Sequence, residues 1–184
     1  MNDPMNTTTV EHALRRLGEV VEYHTGIEIL LVGGAAGMLT NLLGRNRVTT
    51  DCDVMVYLPP NAMAAVQLAA ETVADELKLA PSWLNSDVQL RVDALPDGWE
   101  QRKQLVGEFQ RLRVHAISRV DLIAMKVLAG RDQDIEDLEA MRVRVDDAEF
   151  VRRYLGELAN KGTDPGQIDN AHALLGALEI HEHE

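Results

Sequence analysis

Arg47-Val48-Thr49-Thr50-Asp51-Cys52-Asp53-Val54-Met55-Val56 is the stretch on which the reading of this chain turns. Its apolar content predicts a strand from Asp51 to about Tyr57. Side chains in a strand alternate between faces, so Asp51 and Asp53 share one face. Cys52, Val54 and Val56 take the other face and point into a core. Strand interiors are depleted in aspartate, and two carboxylates side by side repel each other unless a cation lies between them. Their oxygens are hard ligands that suit Mg²⁺ or Mn²⁺, ions that keep part of their water shell and share sites with substrate phosphates.

Upstream, Ile27-Glu28-Ile29-Leu30-Leu31-Val32 reads as a buried strand that runs straight into Gly33-Gly34-Ala35-Ala36-Gly37. An apolar helix over 35–43 follows, ended by Gly44. A strand, a glycine turn and a helix start make a phosphate cradle, because glycine lets the backbone approach an anion and the first helical N–H groups are free to bind it. Gly33 and Gly34 are therefore the expected phosphate-binding turn; a plain tight turn is the bland alternative. Thr49 and Thr50 either bond phosphate or shape the entrance to the second strand. Arg45 and Arg47, just ahead of the acid pair, would face triphosphate. A phosphate cradle followed by a metal-binding pair of acids describes a site for a nucleoside triphosphate and its metal.

Leu31-Val32-Gly33-Gly34 and Asp51-Cys52-Asp53 resemble the motifs of the nucleotidyltransferase superfamily with the DNA polymerase β-like fold. The segment between them, with Gly33-Gly34-Ala35-Ala36 and Arg47-Val48-Thr49-Thr50 ahead of the acids, is similar to the bacterial AbiEii-like branch. A third segment fits that branch: Asp121-Leu122-Ile123-Ala124-Met125-Lys126, then Arg131-Asp132-Gln133-Asp134-Ile135-Glu136-Asp137-Leu138. The resemblance covers about residues 27 to 140.

The resemblance implies transfer of a nucleoside monophosphate from an NTP to a hydroxyl, with Mg²⁺ or Mn²⁺ held by Asp51 and Asp53. It implies a third acid from a neighbouring strand, for which Asp93 is the candidate, on the polar face of a strand at 88–94 with Gln89 and Arg91. A polar surface residue is the other reading of Asp93. Lys126 would reach the triphosphate, or pack its stem while its amine finds water. Asp134 and Asp137, three apart on one helix face, would orient Lys126 or assist proton removal from the acceptor. Some members of the branch are toxins of toxin–antitoxin pairs that modify transfer RNA, so the implied acceptors are tRNA, a protein hydroxyl or a small molecule, and the implied partner is a cognate antitoxin. A non-catalytic nucleotide- or partner-binding relative of the same fold is the competing reading.

The formal charge of −12 argues against an extensive grip on duplex DNA, which needs many basic contacts. Arg15-Arg16, Arg111/Arg113 and Arg152-Arg153 read as solvated faces. A single cysteine, Cys52, excludes an internal disulfide and reads as a buried filler. The polar start and the absence of an apolar run of about 18 residues predict a cytoplasmic protein without a membrane span.

The expected architecture is α+β: a mixed sheet of about four strands flanked by helices, with a helical C-terminal region. Residues 1–140 form the nucleotidyltransferase-like core and 141–184 a helical extension packed on it. Thr8-Thr9-Val10-Glu11 reads as a capping box opening a helix to about His24. Pro59-Pro60 stops the second strand, 61–79 is helical, and 81–85 is a loop. After a strand at 111–116, Ser118 caps a helix to Gly130, and further helices lie near 132–140, 146–160 and 165–178, the last opened by Asp164-Pro165. Trp83 and Trp99 anchor loops or stack a base. His12, His24, His115 and His172 lack ligand spacing. The His181-Glu182-His183-Glu184 tail reads as a frayed terminus, with metal binding as the alternative.

Overall fold

The computed structural model describes residues 4–44 and 46–182, apart from the side chains of 89–92; Arg45, the His183-Glu184 pair and the side chains of Gln89 and Arg91 lie outside the described residues. The chain forms two compact units, one of Met1–Asp93 with Glu100–Ile117 and one of Ala94–Trp99 with Ser118–Glu184.

The first unit is built on strands β1 (Ile27–Val32), β2 (Cys52–Leu58), β3 (Leu84–Asn85), β4 (Gln104–Phe109) and β5 (Leu112–Ala116), in the sheet order β3-β2-β1-β5-β4. β1 runs antiparallel to β2 and parallel to β5, β3 joins β2 in parallel, and β4 is antiparallel to β5. The sheet is therefore mixed, as expected. β1 is central and buried at every position but Glu28, which is why it reads as a continuous apolar run rather than an alternating one. Helix α1 (Thr7–Val20) buries Val10, Ala13, Leu14 and Leu17, and α3 (Met63–Leu77) buries Val66, Ala69, Ala70 and Val73. The two helices pack together. The short α2 (Gly33–Leu39) follows β1 directly.

Several local expectations are corrected. The N-cap of α1 is Asn6, whose side chain accepts the Thr9 N–H at 2.9 Å, so the helix opens two residues before the Thr8 box. Asparagine is a stronger N-cap than threonine. The helix stops at Val20, where paired β-branched residues Val20-Val21 disfavour its continuation. The alternation of β2 holds through Cys52, Asp53 and Val54 and then changes phase. Leu31 pairs with Val54 and Leu30 with Val56, leaving Met55 as a bulge. After it Tyr57, not Val56, is the buried residue.

Residues 81–85 are not wholly loop, since Leu84 and Asn85 pair with β2. Nor is 88–94 a strand. Asp87–Ala94 is a 3₁₀ helix, which begins where the Asn85 side chain accepts the Asp87 N–H at 3.0 Å. That local side-chain bond turns the backbone out of the ladder, and sequence alternation alone does not register it. The opposite edge of the sheet is formed by β4, beside β5, an element the sequence does not announce.

α4 (Trp99–Arg102) is a single turn. The second unit is made of α5 (Arg119–Ala129), α6 (Asp132–Met141), α7 (Val145–Asn160) and α8 (Pro165–Ala177). Ser118 caps α5 and Gly130 ends it in a left-handed conformation, as the sequence predicts. α6 and α7 start alike: Asp134 accepts the Arg131 N–H at 3.3 Å and Asp147 the Arg144 N–H at 3.0 Å. α5 packs against α6, α7 and α8 through a core that includes Leu122, Ile123, Val127, Leu138, Val151 and Leu155. Among the described residues no helix is long and apolar enough to cross a membrane.

Candidate active site

In the first unit, β1 delivers the chain into Gly33, which adopts φ +68. This left-handed region strains any residue with a Cβ. Space imposes the same requirement, because a Cβ on Gly33 would lie 2.8 Å from Asp53 Oδ2. At Gly34 the constraint is spatial only: a Cβ would meet Thr49 Oγ1 at 3.2 Å and an Arg47 guanidinium nitrogen at 3.4 Å. The glycine turn, Arg47, Thr49 and Asp53 therefore lie against one another, although Gly33 and Asp53 are separated by a helix and a loop in sequence.

The ladder explains the placement of Asp53. Val32, the last residue of β1, pairs with Asp53, and Asp53 pairs on its other side with Asn85 of β3. Asn85 Nδ2 donates to Asp53 Oδ1 at 2.8 Å. Asp51 immediately precedes β2; it and Asp53 are half-buried, while Cys52 between them is fully buried. Burial, with the neighbouring charges of Asp51 and Asp53, pushes the Cys52 thiol well above its ordinary value, so it is a neutral core group.

Thr49 exchanges both backbone hydrogen bonds with Met5, at 2.7 and 2.9 Å. Its hydroxyl donates to the Asp51 carbonyl at 3.0 Å, so it braces the entrance to β2. Thr50 is exposed. The Arg47 guanidinium donates to the Val48 carbonyl. Asp93 is exposed at the end of the 3₁₀ helix. It does not join Asp51 and Asp53 in a three-ligand cluster: among the described residues no group of three or more His, Cys, Asp or Glu side chains is placed to hold a metal ion. The residues beside Asp53 on its two flanking strands are Val32 and Asn85, neither of them acidic.

The second unit gathers the other motif. Lys126 on α5 is 4% exposed, and its Nζ donates to Asp134 Oδ1 at 2.9 Å and Asp137 Oδ2 at 2.7 Å, both on α6. Arg131 Nε donates to Asp134 Oδ2 at 2.7 Å. Burial alone would raise the Asp134 carboxyl; the hydrogen bonds from Arg131 and Lys126 outweigh it and hold the group below its ordinary value. The Lys126 amine is thus an interior group that donates to both carboxylates.

Asn85 and the supports of β3 escape sequence reasoning. The Trp83 indole is fully buried and donates to the Ala70 carbonyl at 2.9 Å, in the loop-anchoring role expected of it. Nothing in Pro81-Ser82-Trp83-Leu84-Asn85 signals that the last two residues join the sheet; the single available sign is an Asn one residue after an apolar pair.

Residues 9–161 match a protein family described as nucleotidyltransferase of unknown function (DUF6036). The match spans most of the chain, which therefore belongs to this nucleotidyltransferase family. Comparison with curated proteins and with solved structures returns no match.

Proposed function

We propose that this chain transfers a nucleoside monophosphate from an NTP to a hydroxyl acceptor at the site formed by Gly33, Gly34, Arg47, Thr49, Asp51 and Asp53. The observation that carries the reading is the fit of the Gly33 turn against the Asp53 carboxylate, so close that a methyl group would stand 2.8 Å from Oδ2. A phosphate held by the turn would lie beside the acids.

Two half-buried carboxylates offer hard oxygen donors in a set that fits Mg²⁺ or Mn²⁺. Asp51 and Asp53 would hold the ion, which when bound neutralises triphosphate charge and favours the attacking hydroxyl. The chain's own contribution is positional. The backbone at Gly33 and Gly34 admits the phosphates closely, the Arg47 guanidinium adds positive charge, and the Thr49 bonds keep Asp51 in place. In the reaction the acceptor oxygen bonds to the α-phosphorus, the bond from that phosphorus to the β-bridging oxygen breaks, and pyrophosphate leaves. The hydroxyl proton passes to solvent or to a carboxylate. Catalysis of this kind rests on alignment and charge stabilisation.

Within the superfamily we assign the chain to the AbiEii-like branch. The Gly33-to-Asp53 pattern supports this, as do Lys126, Asp134 and Asp137 in one hydrogen-bonded group. A bacterial, cytoplasmic protein with a cognate antitoxin follows from that assignment. The net charge of −12 favours a small or locally contacted acceptor over a long nucleic acid. The second reading, a nucleotide binder without transfer, draws on the lack, among the described residues, of a third acid grouped with Asp51 and Asp53.

The test is incubation with each α-labelled NTP, Mg²⁺ or Mn²⁺, and total RNA or cell extract. Label that becomes covalently attached to an acceptor, with release of pyrophosphate, supports transfer. Saturable NTP binding with no attachment supports the second reading.

A further inference from the structure

A two-residue strand is a weak element, yet β3 is held from several directions. Its entry is tied to β2 by the Cys52 N–H, which donates to the Trp83 carbonyl at 2.6 Å. Trp83 itself is anchored on the Ala70 carbonyl of α3. Its exit is tied by Ser86, whose hydroxyl lies 2.5 Å from Tyr57 Oη and also accepts from Gln67. Between these anchors stands Asn85. Its Oδ1 accepts the Asp87 N–H at 3.0 Å, and this backbone donor decides the amide orientation: the oxygen must face Asp87 and the NH₂ must face Asp53. Asp53 is in turn confined on both oxygens, with Oδ1 on the Asn85 amide and Oδ2 against Gly33.

We propose that Asn85 is a positioning residue of the nucleotidyl-transfer site: its amide, held at both ends, sets the orientation in which the Asp53 carboxylate meets a divalent cation. The proposal rests on the site reading given above. It accounts for the several anchors on so short a strand, and for an uncharged donor on the strand next to Asp53, where an acid would repel it. A group that orients a metal-binding carboxylate from behind is commonly worth 10- to 100-fold in metal affinity.

The test reads Mn²⁺ binding directly, from the loss of the free-ion electron paramagnetic resonance signal, on the full chain without nucleotide. Asn85→Ala removes the donor, and Mn²⁺ should bind at least about tenfold more weakly. Asn85→Asp keeps an acceptor for the Asp87 N–H, and with it the turn and the fold. It replaces the donor with a carboxylate, so Mn²⁺ should bind several-fold more tightly by bridging the new acid and Asp53. Wild-type affinity in the folded Asn85→Ala protein, or in Asn85→Asp, overturns the proposal. Asp53→Asn is measured alongside. If it too keeps wild-type affinity, the site reading itself has failed; if it loses Mn²⁺ while the Asn85 variants do not, only the role of Asn85 is lost.

Discussion

Replacing Gly33 by alanine tests the coupling between the glycine turn and the acid pair. The residue sits at φ +68, where an alanine costs about 1–2 kcal/mol relative to glycine. Its methyl would also stand 2.8 Å from Asp53 Oδ2, a separation that real Cβ atoms essentially never show. The carboxylate must turn away, which sacrifices the 2.8 Å charge-assisted bond from Asn85, worth roughly 1.5–3 kcal/mol. Together these amount to about 2.5–5 kcal/mol, or a fall in Tm of roughly 5–20 °C for a chain of this size. Displacing the carboxylate should weaken binding of Mn²⁺ with a non-hydrolysable NTP by at least about tenfold in the protein that remains folded. Gly26→Ala is the control, because a Cβ there finds nothing nearer than the Arg111 carbonyl at 4.0 Å. Differential scanning calorimetry gives Tm and isothermal titration gives affinity. If Gly33→Ala melts and binds like Gly26→Ala, the inferred contact between turn and carboxylate does not govern the site. If it melts early but binds normally, the glycine serves the backbone alone.

Gly34→Val should weaken triphosphate binding more than it lowers Tm, because its φ is unstrained and its added bulk meets Thr49 and Arg47 at the cradle; paired calorimetry and melting decide this. Lys126→Met removes the interior amine that Asp134 and Asp137 share, leaving Asp134 its bond from Arg131, at a cost of about 3–5 kcal/mol. The melting curve should show that loss, and Lys126→Met/Asp134→Asn/Asp137→Asn should recover much of it. Asp134 is held below its ordinary value in the folded chain. The stability it contributes is therefore complete above about pH 4 and is lost as pH falls through the lower folded value. The stability read from denaturant melts between about pH 5 and about pH 2 should fall more steeply with falling pH in wild type than in Asp134→Asn.

The parts of the fold that were legible in the sequence are those in which local pattern and tertiary environment agree. β1 is apolar because it is central, and it appears where the run Ile27–Val32 predicts it. The helices of the second unit begin and end at Ser118, Gly130 and Asp164, whose capping chemistry is local. The burial of Cys52 between half-buried Asp51 and Asp53 needed only the period of a strand. Other features were not legible, most of them for a non-local reason. The bulge at Met55 depends on how β2 registers against β1. The 3₁₀ helix at Asp87–Ala94 overrides an alternating pattern through one Asn85 bond. The neighbour of Asp53 on β3 is set by a parallel pairing between segments about thirty residues apart, with Cys52 opposite Leu84 and Asp53 opposite Asn85.

The most direct measurement of the central claim is the binding of Mn²⁺ with a non-hydrolysable NTP to wild type and to Asp51→Asn/Asp53→Asn, by isothermal titration at matched folded concentration. The account predicts saturable binding in wild type that disappears in the double variant while Tm stays within a few degrees, about the range of a surface change. Equal affinity in the two folded proteins would contradict it.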